Sequence, residues 1–391
     1  MRELNVQELL GKSKEELRVM CESLGELGYR GGQIYHALYA ERKFEFGQMT
    51  NLPAGLRERL SKEVSIRLPA VKQRFVSADG SVRYLFGLGD REKGEEVYTE
   101  GAEDTEESRK ARAGGVKRGA SVEAVFMPSE ERQTICISTQ AGCAVDCKFC
   151  LTAQLGFIRN LTAGEILAQV LMPLEEHKAK IEPRFEAQGK QTNIVLMGQG
   201  EPLLNFEAVM AAARILLDPE GMAISPKHVT LSTSGIVPGI ERLGRESVRP
   251  KLAISLNASN DEQRDRLMPI NKKYPLAALI GACRNYPLRN WEHLTFEYVM
   301  LGEVNDSAED ARRVAKLLAP VKSAKVNLIP WNPGELPYRE SSPERIETFR
   351  KILIEREVPT FVRYSRGRDV MAACGQLALS EVNAGALRVM S

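Results

Sequence analysis

No apolar run in these 391 residues approaches the roughly 20 needed to span a bilayer, which argues against membrane insertion. The opening stretch, MRELNVQELLGKSKEELRVM, lacks both the apolar core and the small-residue cleavage site of a secretory signal, so a cytoplasmic location is expected. An excess of either charge is also missing: 54 basic residues face 52 acidic ones, and this balance neither supports nor excludes a nucleic-acid partner. Any RNA contact has to come from local patches. Repeats of short period are absent, and histidine is scarce, limited to the scattered His36, His177, His228 and His293. Cysteine is scarce too, seven in all, and an odd count in a reducing compartment speaks for metal binding or catalysis over a disulfide framework.

What is present is of ordinary globular composition, 43% hydrophobic and 27% charged, on a chain long enough for two or three units or for one large catalytic domain with additions. Residues 1–67 read as short helices, among them SKEELRVMCESLG and GGQIYHALYA. Residues 68–130 open with VKQRFVSADGSVRYLFGLGD, where Asp79-Gly80 between two strand-like runs signals a hairpin. Its basic and aromatic side chains (Lys72, Arg74, Phe75, Arg83, Tyr84, Phe86) suit either a solvated hairpin or a single-strand RNA platform. The charged stretch that follows, through about Val122, reads as a surface loop. From residue 131 to 371, strand-like segments (QTICISTQ, TNIVLMGQG, HVTLSTSG, KLAISLNA, LTFEYVML, AKVNLIPWN) alternate with helical ones. This alternation predicts a parallel α/β sheet, open or an incomplete barrel. Residues 372–391 form a C-terminal segment.

In parallel α/β folds the active site lies at the C-terminal strand ends. Residues 143–150, 198–202, 232–235 and 255–257, with Asn332, all fall there. Three cysteines, Cys143, Cys147 and Cys150, are packed into GCAVDCKFCLTAQ. Thiolates suit zinc or iron-sulfur clusters. Structural zinc usually needs a fourth ligand, for which only Cys136 is at hand; a 4Fe-4S cluster held by three thiolates would leave one iron open.

This C-x3-C-x2-C spacing after a strand resembles the signature of the radical S-adenosylmethionine (SAM) enzymes, in which the open iron chelates SAM and its cleavage yields a 5'-deoxyadenosyl radical. The loop GQGEP is not a dinucleotide fingerprint, because Leu203 occupies the third glycine position. Its glycines are read as letting the backbone approach a ligand. The resemblance assigns Gly200 and Glu201 to the methionine moiety of SAM. Ser232, Ser255, Leu256 and Asn257 are expected around its ribose and carboxylate, and Asn332 at its adenine.

Seven further motifs (VEAVFMP, CISTQAGCAVDCKFCLTAQLGFIRNLTAGEI, GQGEPLLN, TLSTSG, LAISLNA, NLIPWNP and AACGQL) resemble one family: bacterial dual-specificity methyltransferases of adenine C2 in 23S ribosomal RNA and transfer RNA. The resemblance implies an incomplete barrel of six strands and six helices behind a small helical domain that contacts RNA. It implies methylation at the peptidyl-transferase centre and 3' of the anticodon, with two SAM molecules used per turnover and an external donor such as a flavodoxin, by a monomer. It makes Cys374 the methyl carrier, Cys136 the resolving thiol of a transient disulfide, and Glu123 the base. Relatives that methylate C8 of the same ribosomal adenine share this chemistry. Cys21 and Cys283 are expected only to pack, and Arg363, Arg366 and Arg368 to touch phosphate.

Overall fold

The structure, a computed structural model, describes residues 7–89, 120–179, 181 and 191–378; most of the charged stretch before Val122 and the last thirteen residues lie outside the described residues. Three helices, Lys14–Ser23, Tyr29–Tyr39 and Ala54–Glu63, make the N-terminal module. They are joined by a two-strand parallel pair, β1 (Gln7–Glu8) and β2 (Val64–Ser65). Their apolar faces do not close on themselves. Leu17, Ile34 and Leu38 belong to the same buried cluster as Leu167 and Leu171 of the helix Ala163–Glu176, and the Tyr35 hydroxyl donates to Asp218 at 2.8 Å.

A ten-stranded sheet forms the rest. Seven strands are parallel: β6 (Arg132–Cys136), β9 (Gln191–Leu196), β10 (Val229–Thr233), β11 (Lys251–Ser255), β12 (Leu294–Met300), β13 (Ala324–Pro330) and β14 (Thr360–Val362). The first six are the strands read from sequence, and β14 adds a short seventh at the edge. Each crossover carries a helix. Several of these helices start on a side-chain cap that the sequence announces, as at Thr162 and Ser307, where the hydroxyl and an acidic residue three positions on bond reciprocally to the backbone. Period-two burial sorts the strands by face. In β13, Val326 and Leu328 are buried under helices while Lys325 and Asn327 on the other face stay half-buried.

Beyond β6 the sheet turns antiparallel through β5 (Ser121–Pro128), β4 (Val82–Gly87) and β3 (Ala70–Val76). The expected hairpin therefore exists but is no solvated platform. Arg83, Tyr84 and Phe86 are buried, because β4 is paired on both sides and lies under the end of the helix Ala163–Glu176, where the Tyr84 hydroxyl meets His177 at 2.8 Å. Only β3 keeps one exposed flank. Cys21 and Cys283 pack in the core as expected.

After β14 the chain crosses the mouth of the sheet as a strap, residues 363–378. Asp79 at the hairpin turn accepts from Arg366 and from the backbone of Gly367, while Ser77 donates to Asp369. Two of the arginines expected at phosphate are thus committed elsewhere: Arg366 to this clasp, and Arg368 to Glu340 at 3.3 Å. Among the described residues no helix is long and apolar enough to cross a membrane.

Candidate active site

The cysteine loop begins at β7 (Gln140–Gly142), which pairs with β8 (Phe157–Asn160) into a small ribbon. Gly142 adopts φ +71°, and a Cβ there would stand 1.8 Å from the Gly156 carbonyl oxygen, so only glycine lets the two strands meet. Phe149 packs with Leu267, Met268, Leu301 and Trp331, and Cys147 lies against that group. Burial pushes all three thiols up, Cys143 to about 12 and Cys147 well above its ordinary value, and Cys147 feels the charge of both others. A bound cation reverses this by stabilising thiolate.

The three thiols share one short loop, and Cys143 and Cys147 feel the charge of Cys150. Soft thiolates in this arrangement suit an iron-sulfur cluster with one iron left open.

Next to the loop stand the other strand ends. Glu201, buried, accepts from the Leu203 amide at 3.0 Å and from the Ser234 amide and hydroxyl at 2.7 and 2.8 Å, which ties β9 to β10. Burial raises its pKa, partly offset by these hydrogen bonds, and its charge reaches Cys143 and Cys147. Ser232 and Ser255 face each other with hydroxyl oxygens 3.3 Å apart. Asn257 adopts φ +54°. Its carbonyl oxygen accepts from the Val299 amide at 2.8 Å and its amide nitrogen lies 3.3 Å from the Met268 sulfur, so the side chain braces strand ends. Leu256 is wholly buried in the main core and offers a ligand no side-chain surface.

The glycines of GQGEP also meet a packing need of their own. Cβ atoms at Gly198 and Gly200 would collide with Ser138 and Gln140, at 2.6 and 2.5 Å, so close packing on the 138–140 segment already requires both. Gln199 between them, which in sequence looked incidental, is fully buried. Its side-chain oxygen accepts from the Glu123 amide at 3.2 Å, and its nitrogen lies 3.5 Å from the Glu123 carboxylate and 3.4 Å from the Leu377 carbonyl oxygen. Glu123, expected as the base, is fully buried and ion-paired to Arg83 at 2.6 Å.

Arg264 was also missed. This fully buried guanidinium donates to the carbonyls of Ser234, Ser255 and Leu256 and to Asn271, at 2.6–3.1 Å, and so locks the ends of β10 and β11 together. Burial lowers its pKa to about 10, against the attraction of Cys147. A basic residue in a helical DEQRDRL segment carries no sequence signal of burial.

The strap completes the site. The Leu151 amide donates to Gly375 and the Thr152 hydroxyl to Leu377, at 2.8 and 2.7 Å, which pins the strap to the cysteine loop. Asn332, expected at adenine, spends its amide hydrogens on Ser365 at 2.9 Å and on the Cys374 carbonyl at 3.4 Å. Cys374 has solvent-exposed surface, and the protein atoms packed around its thiol push it up to about 11, with the charges of Glu297 and Cys150 adding to the rise. Cys136, buried in a cluster with Val125, Ala372 and Leu377, is raised by burial and next by Cys374. Cys374 thus feels the charge of Cys150, and Cys136 in turn feels that of Cys374.

Comparison with known proteins agrees with this geometry. Residues 137–316 match the radical SAM superfamily, and residues 7–66 match the ribosomal RNA large subunit methyltransferase N-terminal domain. The chain is 47% identical to a probable dual-specificity RNA methyltransferase RlmN of Koribacter versatilis, over 92% of this chain and 99% of that protein. It is 43% identical to a dual-specificity RNA methyltransferase RlmN of an Anaeromyxobacter species, over 93% and 88%. A solved radical SAM methyltransferase from Sphaerobacter thermophilus superposes with TM-score 0.81 at 39% identity, covering 95% of this chain and 99% of that one. With a cysteine loop suited to a cluster, a barrel mouth closed by a thiol-bearing strap, and relatives matched along nearly their whole length, the chain belongs to the RlmN family of radical SAM, dual-specificity RNA methyltransferases.

Proposed function

We propose that this protein methylates C2 of an adenine in 23S ribosomal RNA at the peptidyl-transferase centre and of the adenine 3' of the anticodon in transfer RNA. The observation that supports the reading is Cys374, exposed on a strap that is hydrogen-bonded to the cysteine loop at Leu151 and packs Ala372 and Leu377 on Cys136. Adenine C2 lies between two ring nitrogens and is electron-poor, so it does not attack the sulfonium methyl of SAM. A carbon radical adds to it. A 4Fe-4S cluster on Cys143, Cys147 and Cys150, with SAM bound, supplies the hydrogen-abstracting radical that such an addition needs.

Cys374 carries a methyl taken from a first SAM and loses one hydrogen atom from it when a second SAM is cleaved. The sulfur-bound methylene then joins C2. Glu123 accepts the C2 proton: it lies two residues along β5 from Val125, the strand partner of Cys136, and is ion-paired to Arg83. The odd electron left on the ring would pass to the redox cluster; the Cys136 thiolate would then attack the Cys374 sulfur, the S–C bond would break with its electron pair on the methylene carbon, and that carbon would take up a proton to become the 2-methyl group as the disulfide forms. Gly200, Glu201, Ser232, Ser255 and the backbone of Leu256 and Asn257 form the rim on which SAM is held, and Asn332 steadies the carrier. The adenine reaches the thiol only when unstacked. An external donor of flavodoxin type supplies electrons to a cytoplasmic monomer.

The test is mass spectrometry of nucleosides from 23S and transfer RNA after incubation with anaerobically cluster-loaded protein, SAM and reductant. 2-Methyladenosine in both RNAs is expected. 8-Methyladenosine, or no methylation from cluster-loaded protein, would overturn the assignment.

A further inference from the structure

A polar row on the inner face of the sheet ends at an edge that the chemistry above leaves unused. From Ser232 and Ser255 it passes to Glu297, in register with Ser255, and to Asn327, which donates to Glu297 at 2.9 Å. Arg363 donates to Asn327 at 3.2 Å, and Phe361 is in register with Asn327, so both project from this face. Val362 between them packs back onto the core. Among the described residues β14 has no partner on its outer side.

At this open edge Phe361 is 46% exposed and the Arg363 guanidinium stands 5.3 Å from its ring centroid. Lys325, half-buried on the same face of β13, is within reach of the Arg363 charge. The ring completes no core, because its neighbours along the row are Asn327, Glu297 and Arg363. An exposed aromatic with fixed cations beside it suits a flat, electron-rich group that carries negative charge. A nucleotide has both parts. The platform is continuous with the carrier thiol: Ser365, two residues beyond Arg363, accepts from Asn332, whose amide also reaches the Cys374 carbonyl.

We propose that Phe361 and Arg363 form a stacking platform for one base of the substrate RNA, that of a nucleotide next to the reacting adenine, with Arg363 and Lys325 facing its phosphate. The inference rests on the RNA-methylating function proposed above. The reacting base must lie at Cys374, so the platform, at the strand from which the strap departs, takes its neighbour.

The experiment measures the Kd of the cluster-loaded protein for a fluorescein-labelled tRNA transcript, and the KM for the same RNA. Phe361→Ala is expected to raise both by about tenfold. Phe361→Trp should stay within about twofold of the wild type, as should Tyr364→Ala, which removes an exposed ring one residue out of phase with the row. Transcripts with an abasic site on either side of the target adenine locate the contact: at one of the two positions the wild type should bind as weakly as Phe361→Ala, and the variant should lose nothing more. A Phe361→Ala protein that melts like the wild type and binds the intact transcript equally well overturns the platform. So does a Phe361 effect that persists at both abasic positions. Formation of 2-methyladenosine by the wild type is scored separately, so a failure of the methylation reading is distinguishable from a failure of the binding one.

Discussion

Cys143, Cys147 and Cys150 share one short loop, whereas Cys136 ends β6 and Cys374 arrives on a strap from the far end of the chain. The first group needs a local turn, a glycine at 142 and an aromatic neighbour to become a ligand set. The second exists only because Thr152, Gln199 and Asn332 hold the strap across the mouth. Thiols of equal intrinsic chemistry thus sit in different surroundings: half-buried on one loop in the first case, one exposed on a strap and one buried at a strand end in the second.

The comparison can be broken most completely at the thiols. Cys147→Ala should lose cluster iron and bring RNA methylation to background, read by iron analysis and nucleoside mass spectrometry. Cys136→Ala should keep its iron but stall after one event as a covalent protein–RNA adduct, visible on a denaturing gel; normal turnover by this variant would dissolve the proposed pair.

A smaller effect is expected at the buried ion pair behind the carrier. Arg83→Ala removes the ion-pair partner seen at 2.6 Å from the buried Glu123 carboxylate, and urea unfolding should show a loss of about 3–5 kcal/mol. Adding Glu123→Ala should return part of that stability, since no unpaired charge then remains. If the double variant is no more stable than Arg83→Ala, the pair is not the unit proposed.

The smallest effect lies in the clasp. At Asp79 burial works to raise the pKa, but hydrogen bonds from Ser81, Gly367 and Ser77 outweigh it and hold the carboxyl below its ordinary range. A depressed folded value means stability that is present above the unfolded pKa, near 4, and is lost as pH falls toward the folded one. Asp79 is partly exposed, so the contribution is below about 1 kcal/mol. Asp79→Asn should flatten the acid limb of the melting temperature between pH 7 and pH 3; an unchanged limb would remove the clasp from the account.

The parallel strands were legible because buried apolar residues alternate with inward polar ones, and the ligand loop because three thiols are near in sequence. Arg83 was not legible: it looked like a solvated hairpin cation until β5 and the helix above covered it. Gln199 and Arg264 were equally silent, since a polar side chain in a loop or on a helix shows its burial only once its acceptors have been brought from other strands. Asn332 and Asn257 were read as ligand contacts, and the fold gives their amides to the strap and to strand ends.

By itself the sequence determined the strand-helix alternation, the ligand loop and the family motifs, all of which rest on spacing within a few residues. The tertiary structure alone decided that the strap residues Ala372 and Leu377 pack on Cys136, that Glu123 is buried against Arg83 and that Phe361 is left at an open edge. These depend on contacts between segments distant along the chain, where the entropy of closing a long loop is overcome only by the packing of the whole sheet.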